Sequence, residues 1–218
     1  GGKTFALASA VMNEANVRSN STNSHGVRND TVFRSQIVAH DVVEDRLRQI
    51  KGSLSRVGFV AQNDNITNGT IHSVQSSFGD CKCTIQTATS SDLDAAHSNS
   101  TASHFDAVLV DAPCSSTGVL RRRPSQRWEL VEKQIYEVLP DLQLEILEKA
   151  ASFVNENGGR LVYSTCSLLR EENECVVRKF EQSSVFLEGG FMRWEFIPIM
   201  SNDLDKHDVE VRWSGEQK

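Results

Sequence analysis

No apolar run in this 218-residue chain approaches the roughly 20 residues that a bilayer-spanning helix needs, so no transmembrane segment and no membrane partner are expected. A secretory signal pattern is also lacking, and the chain opens on Gly1-Gly2-Lys3-Thr4 rather than on Met, reading as the middle of a longer motif. Cysteine is scarce. Cys81, Cys83, Cys114, Cys166 and Cys175 are too few, too scattered and too odd in number for a disulfide framework, which points to a reducing, intracellular compartment. Cys81 and Cys83 have no second ligand pair at suitable spacing, so no metal is expected. Basic charge is not in excess either: 29 acidic against 23 basic residues give a net charge of -6, which excludes a protein whose whole surface grips nucleic acid but leaves room for a local basic patch. No internal repeat is visible. What the chain does have is 39% hydrophobic residues, enough to bury the core of one domain, and a monomer is the expected state.

Charge is unevenly distributed. Residues 112–135 hold Arg121, Arg122, Arg123, Arg127 and Lys133 against Glu129 and Glu132, whereas residues 171–218 hold eleven acidic and six basic side chains. Two stretches read as polar insertions, residues 19–30 and residues 62–104; in the second, 18 of 43 residues are Ser, Thr or Asn, a composition that predicts loop. Around them the periodicities are clear. Ala8, Val11, Met12 and Ala15 make a helical stripe over residues 4–16. Residues 36–40 predict a strand ending at Asp41, followed by an amphipathic helix carrying Val43, Leu47, Ile50, Leu54 and Val57. The run 105–110 (FDAVLV) predicts a strand buried on both faces. Pro140 opens a helix with Ile146, Leu147, Ala150, Ala151 and Val154 on one face, stopped by Asn157-Gly158-Gly159. Residues 160–164 predict the next strand and residues 171–180 a helix. Strands alternating with helices give an α/β class with a mostly parallel open sheet and right-handed crossovers. Ligands in such sheets sit beyond the carboxyl ends of the strands, which directs attention to the residues after Asp41, Val110 and Ser164.

Two of those strand ends carry a thiol. Asp111-Ala112-Pro113-Cys114-Ser115-Ser116-Thr117-Gly118 follows one strand and Thr165-Cys166-Ser167 the next. Neighbouring strands would bring both sulfurs to one sheet edge, with Pro113 fixing the chain beside Cys114 and Gly118 permitting a tight backbone course. Buried cysteines are often only core filler, the reading that suits Cys175 on its helix.

These segments, DAPCSSTG and GGRLVYSTCS, together with Gly1-Gly2-Lys3-Thr4, resemble the motifs of the RNA cytosine-C5 methyltransferase family (Sun/Nol1/Nop2 type). The intervening GVLRRRPSQRW most resembles the branch acting on bacterial small-subunit ribosomal RNA. The resemblance covers residues 1–182, and residues 183–218 are a poorly patterned acidic segment. It implies a Rossmann-like fold, S-adenosyl-L-methionine as methyl donor and RNA as partner. It implies further that Cys166 is the nucleophile and that Cys114 assists release of the methylated base. Asp111 would hydrogen-bond the cytosine edge, and Lys3 would stand near the same crevice, where a cation lowers a thiol pKa. By the same resemblance Gly1, Gly2, Lys3, Asp41 and Asp111 line the cofactor site, with Asp41 on the ribose hydroxyls; Asp41 is equally placed to cap the helix that follows. Asp92 and Asp94 are the candidates for adenine. Arg121, Arg122, Arg123 and Arg127, with Trp128, would contact phosphates and stack on a base, the alternative being a solvated loop.

The chain departs from the family at both ends. The family's first strand and the Ala-Pro residues before GGKT are not in these 218 residues, and its closing hairpin is not recognisable after residue 185. The expectation is that the 218 residues alone bind S-adenosyl-L-methionine poorly or not at all. Two other readings compete: a phosphate-loop NTPase built on Gly-Lys-Thr, which leaves both cysteine motifs unexplained, and a non-catalytic RNA-binding or ribosome-assembly protein that retains the fold.

Overall fold

The computed structural model describes residues 2–20, 33–57, 59–61, 72–78, 81–98 and 104–187. Gly1, most of the polar segment 19–30 and the acidic segment from residue 188 onward lie outside the described residues. The chain divides into two compact units, Gly1–Ala102 and Ser103–Lys218.

In the first unit, helix α1 (Gly2–Asn20) is followed by β1 (Phe33–His40), α2 (Glu44–Arg56), β2 (Val60–Ala61), β3 (His72–Phe78), β4 (Cys81–Ala88) and α3 (Ser90–Ser98). The sheet order is β1-β4-β3-β2, with β1 parallel to β4 and the other two contacts antiparallel. The amphipathic prediction for α2 holds at its centre: Leu47, Ile50 and Leu54 are buried, while Val43 and Val57 fall just outside the helix and are exposed. Helix α1 packs through Phe5, Ala8 and Met12, a spacing of three and four that selects one helical face.

Residues 62–104 are not the loop that their composition predicts, because β3, β4 and α3 all lie within them. Burial alternates along β4: Cys83, Ile85 and Thr87 point inward, Lys82, Thr84 and Gln86 outward, and Cys83 and Ile85 join the core with Ala39 and Leu54. Threonine is β-branched, so a Thr-rich stretch with alternating Cys and Ile satisfies a strand as well as a loop. The register pairs Phe78 with Cys81 across only two intervening residues, Gly79-Asp80.

The second unit contains β5 (Ala107–Asp111), α4 (Leu139–Ala151), β6 (Arg160–Ser164), α5 (Glu174–Glu181) and the short α6 (Ser184–Leu187). Strands β5 and β6 are parallel, joined through α4 as a βαβ unit, with Val110 opposite Tyr163 and Asp111 opposite Ser164. The inward faces of α4 and α5 supply Leu147, Ala151, Val176 and Phe180 to a core that also takes Val110 and Ala112. Pro140 occupies the first turn of α4 as expected, where its missing N–H is harmless. The helix stops at Ala151, earlier than the glycines suggest, and the chain then bridges Phe105 to Val154 before Gly158 turns it with φ of +89°.

Three expectations need correction. Among the described residues the sheet of the first unit is mixed rather than mostly parallel, with β1 parallel to β4 and β3 antiparallel to both its neighbours, while β5 and β6 of the second unit pair in parallel as expected. The strand predicted over 105–110 starts two residues later and ends one residue later, and it is not buried on both faces: Val110 is buried, whereas Ala107 and Asp111 are exposed, as α4 and α5 cover one face of the pair. The helix predicted over 171–180 begins at Glu174, after a tight 3-10 turn at Arg170–Glu172.

Candidate active site

The register of β5 on β6 decides where the two thiol loops leave the sheet. Asp111 and Ser164 stand opposite one another, and the Ala112 N–H donates to the Ser164 carbonyl at 2.9 Å, extending the ladder one residue past the strand. Both chains then turn out side by side. The Gly118 N–H donates to the Cys166 carbonyl at 2.9 Å, and a Cβ at Gly118 would lie 2.7 Å from that oxygen. Glycine is therefore required by contact rather than by torsion. Ser116 sits in the left-handed region with φ of 60°, a conformation non-glycine residues seldom adopt, at the turn that returns the chain toward Cys166.

The outcome is a pair of sulfurs 3.1 Å apart, Cys114 half-buried and Cys166 exposed. The Cys166 N–H donates to the Cys114 sulfur at 3.4 Å, and the Cys166 sulfur lies 3.4 Å from the Ser116 hydroxyl. Burial pushes the Cys114 thiol above the ordinary thiol range, and its hydrogen bond with the Cys166 side chain adds to the shift.

A polar layer lies beneath the sulfurs. Glu172, fully buried at 0% exposure, accepts from the Ser115 N–H at 2.7 Å, from the hydroxyls of Ser115 and Ser167, and from Gln143 Nε2 at 3.1 Å. Gln143 also donates to the Pro113 carbonyl at 2.8 Å, so its amide orientation follows from having two acceptors on one side. Asn173 donates to the carbonyls of Ser167 and Leu169 and accepts from the Thr165 hydroxyl at 2.6 Å. The Tyr163 hydroxyl donates to the Glu172 carbonyl at 2.8 Å; burial, with the Glu172 charge nearby, raises its pKa. None of Glu172, Gln143 and Asn173 stands out in the sequence, although Glu171-Glu172-Asn173 follows the second thiol by only five residues.

The other expected site residues are spread over both units. Asp111 is exposed at the carboxyl end of β5, three residues before Cys114. Arg121, Arg122, Arg123 and Arg127 are all exposed in the loop between β5 and α4, and the Arg127 guanidinium lies 4.7 Å over the Trp128 ring, which is 80% exposed. Lys3 and Gly2 belong to the first turn of α1 in the first unit, and a Cβ at Gly2 would meet nothing within 4 Å. Asp41 follows β1 directly. One of its oxygens accepts the Val43 N–H at 2.9 Å and the other faces Arg46 at 3.5 Å; this is a local turn ahead of α2 rather than the helix cap, because the cap position is Val43 and carries no side-chain hydrogen bond. Asp92 forms a capping box with Thr89 at the start of α3, one of its oxygens accepting from the Thr89 N–H at 2.8 Å and from its hydroxyl at 2.7 Å. Asp94 is exposed on α3. Among the described residues no group of three or more His, Cys, Asp or Glu could hold a metal ion, and no helix is long and apolar enough to cross a membrane.

This two-thiol geometry falls within residues 29–189, the stretch that matches a family model described as 16S rRNA methyltransferase RsmB/F. The chain belongs to that family. RsmB/F membership leaves the phosphate-loop reading of Gly-Lys-Thr without support. Proteins named ribosomal RNA small subunit methyltransferase B from Escherichia coli (strain UTI89 / UPEC), Shigella sonnei and Shigella flexneri are each 34% identical to the chain over 154 residues. The aligned stretch covers 71% of this chain and 30% of each relative, so the chain spans about a third of their length.

Proposed function

We propose that the chain carries the catalytic core of an RNA methyltransferase that transfers a methyl group from S-adenosyl-L-methionine to C5 of cytosine in ribosomal RNA. The observation that carries this reading is the pair of sulfurs 3.1 Å apart at two adjacent strand ends. C5 of cytosine is a weak nucleophile. The Cys166 thiolate adds to C6, and the electron pair displaced from the C5–C6 double bond makes C5 nucleophilic enough to take a methyl group. S-adenosyl-L-methionine, when bound, supplies that methyl group as an electrophile. A base then removes the C5 proton, the electron pair re-forms the double bond, and the Cys166 sulfur leaves as thiolate.

Cys114 suits the release step by its position, since its sulfur stands 3.1 Å from the sulfur that must depart; as thiolate it would be the base that takes the C5 proton. Exposed Cys166 suits attack on an incoming base. Asp111, at the strand end, would accept from the cytosine amino group and favour the activated ring. Asp41 would hold the ribose of the donor. The exposed arginines and Trp128 beyond the Cys114 loop suit phosphates and a stacked base, giving RNA as the partner.

The test is a full-length protein containing this chain. Cys166→Ala is expected to reduce methyl transfer on the order of 10³-fold or more, as removal of a nucleophile does. Cys114→Ala is expected to stall release, leaving a protein–RNA adduct that survives denaturing electrophoresis. Methylation intact in Cys166→Ala would overturn the reading.

A further inference from the structure

The two-thiol chemistry makes no use of Glu172, yet Glu172 is a fully buried carboxylate. Burying a carboxylate is unfavourable unless its acceptor sites are met. Here they are met by four neutral donors: the N–H and hydroxyl of Ser115, the hydroxyl of Ser167, and Gln143 Nε2. Ser115 directly follows Cys114, and Ser167 directly follows Cys166. The two loops are thus tied to one acceptor, one residue beyond each sulfur. An apolar side chain would fill the space but accept from neither loop.

We propose that Glu172 is the positioning residue of the thiol pair, setting the separation of the Cys114 and Cys166 sulfurs through Ser115 and Ser167. The inference rests on the reading that both thiols serve one base. Glu172 touches no substrate and acts only through the cysteine loops. Glu172→Leu leaves the Ser115 N–H, both serine hydroxyls and Gln143 Nε2 without this acceptor, and the loops must part to find others; Glu172→Gln is the milder change, because its NH₂ can face the two serine hydroxyls, which accept as well as donate.

Dibromobimane, which joins two thiols only when they are within a few ångströms, reads the separation without RNA; peptide mass spectrometry locates the bridge between Cys114 and Cys166. Glu172→Leu is expected to slow bridging by about tenfold, while labelling of each thiol by monobromobimane stays unchanged. In the full-length enzyme kcat is expected to fall about 10²-fold with an unchanged KM for RNA, the scale set by an ångström of misplacement. Bridging at the wild-type rate in a folded Glu172→Leu protein overturns the proposal. So does a parallel rise in single-thiol labelling, because that marks general loosening. Should Glu172→Leu fail to fold, Ser167→Ala removes a single donor to Glu172 and is expected to slow bridging by about threefold; a wild-type rate there overturns it equally. If bridging depends on Glu172 while Cys166→Ala still methylates RNA, the positioning role stands and the two-thiol mechanism falls.

Discussion

At the scale of single residues, the site is governed by how closely two loops can approach. A Cβ at Gly118 would press to 2.7 Å on the Cys166 carbonyl, which is backbone and cannot rotate away. Gly118→Ala is therefore expected to destabilise the protein by about 1–3 kcal/mol, as overpacking does, and to lower methyl transfer; thermal unfolding and a methylation assay check both. The Cys114 thiol is raised by burial, so its alkylation by iodoacetamide should set in at higher pH than that of an ordinary exposed thiol. The sign for stability follows. A folded-state pKa above the unfolded one gives a contribution fully present below the unfolded thiol pKa and lost as pH rises through the raised value. Cys114→Ala should flatten that alkaline loss in a pH series of thermal melts.

At the scale of elements, the βαβ unit β5-α4-β6 does the placing. Parallel register puts Asp111 level with Ser164, and α4 and α5 clamp one face of the strand pair through Leu147, Ala151, Val176 and Phe180. In the first unit, α3 starts on the Thr89–Asp92 capping box. Thr89→Ala should cost about 0.5–2 kcal/mol, measurable by chemical denaturation, and Thr89→Ser should recover most of it. Unchanged stability in Thr89→Ala would mean that the box contributes nothing to the start of α3.

At the scale of the molecule, a net charge of -6 coexists with four exposed arginines on one loop of the second unit. If this loop contacts RNA phosphates as proposed, the local attraction gives binding that weakens with salt, while the overall repulsion keeps the affinity modest. Replacing Arg121, Arg122 and Arg123 by Gln in the full-length protein is expected to weaken RNA binding. On single-stranded RNA it should also make the slope of log K against log salt shallower, by roughly 0.7 for each phosphate that is no longer neutralised. An unchanged slope would mean that these arginines are solvated and touch no phosphate.

The sequence by itself determined the α/β class, the helix faces of α2 and α4, the strand β6 to the residue, and the two cysteine motifs, because periodicity and a thiol after a strand are local properties. It was silent or misleading where a residue type serves two ends. Residues 62–104 read as loop from their Ser, Thr and Asn content, yet burial alternates along β4, and Gly79-Asp80 between the paired strands is a turn-forming sequence that composition alone does not use. Thr89-Ser90-Ser91-Asp92 likewise carried a legible capping box. Only the tertiary structure decided that the sulfurs stand 3.1 Å apart, that Cys114 is the raised thiol, and that Glu172 joins both loops. Those facts arise from register between β5 and β6 and from burial beneath it, pairings between residues about 50 positions apart that no local pattern encodes.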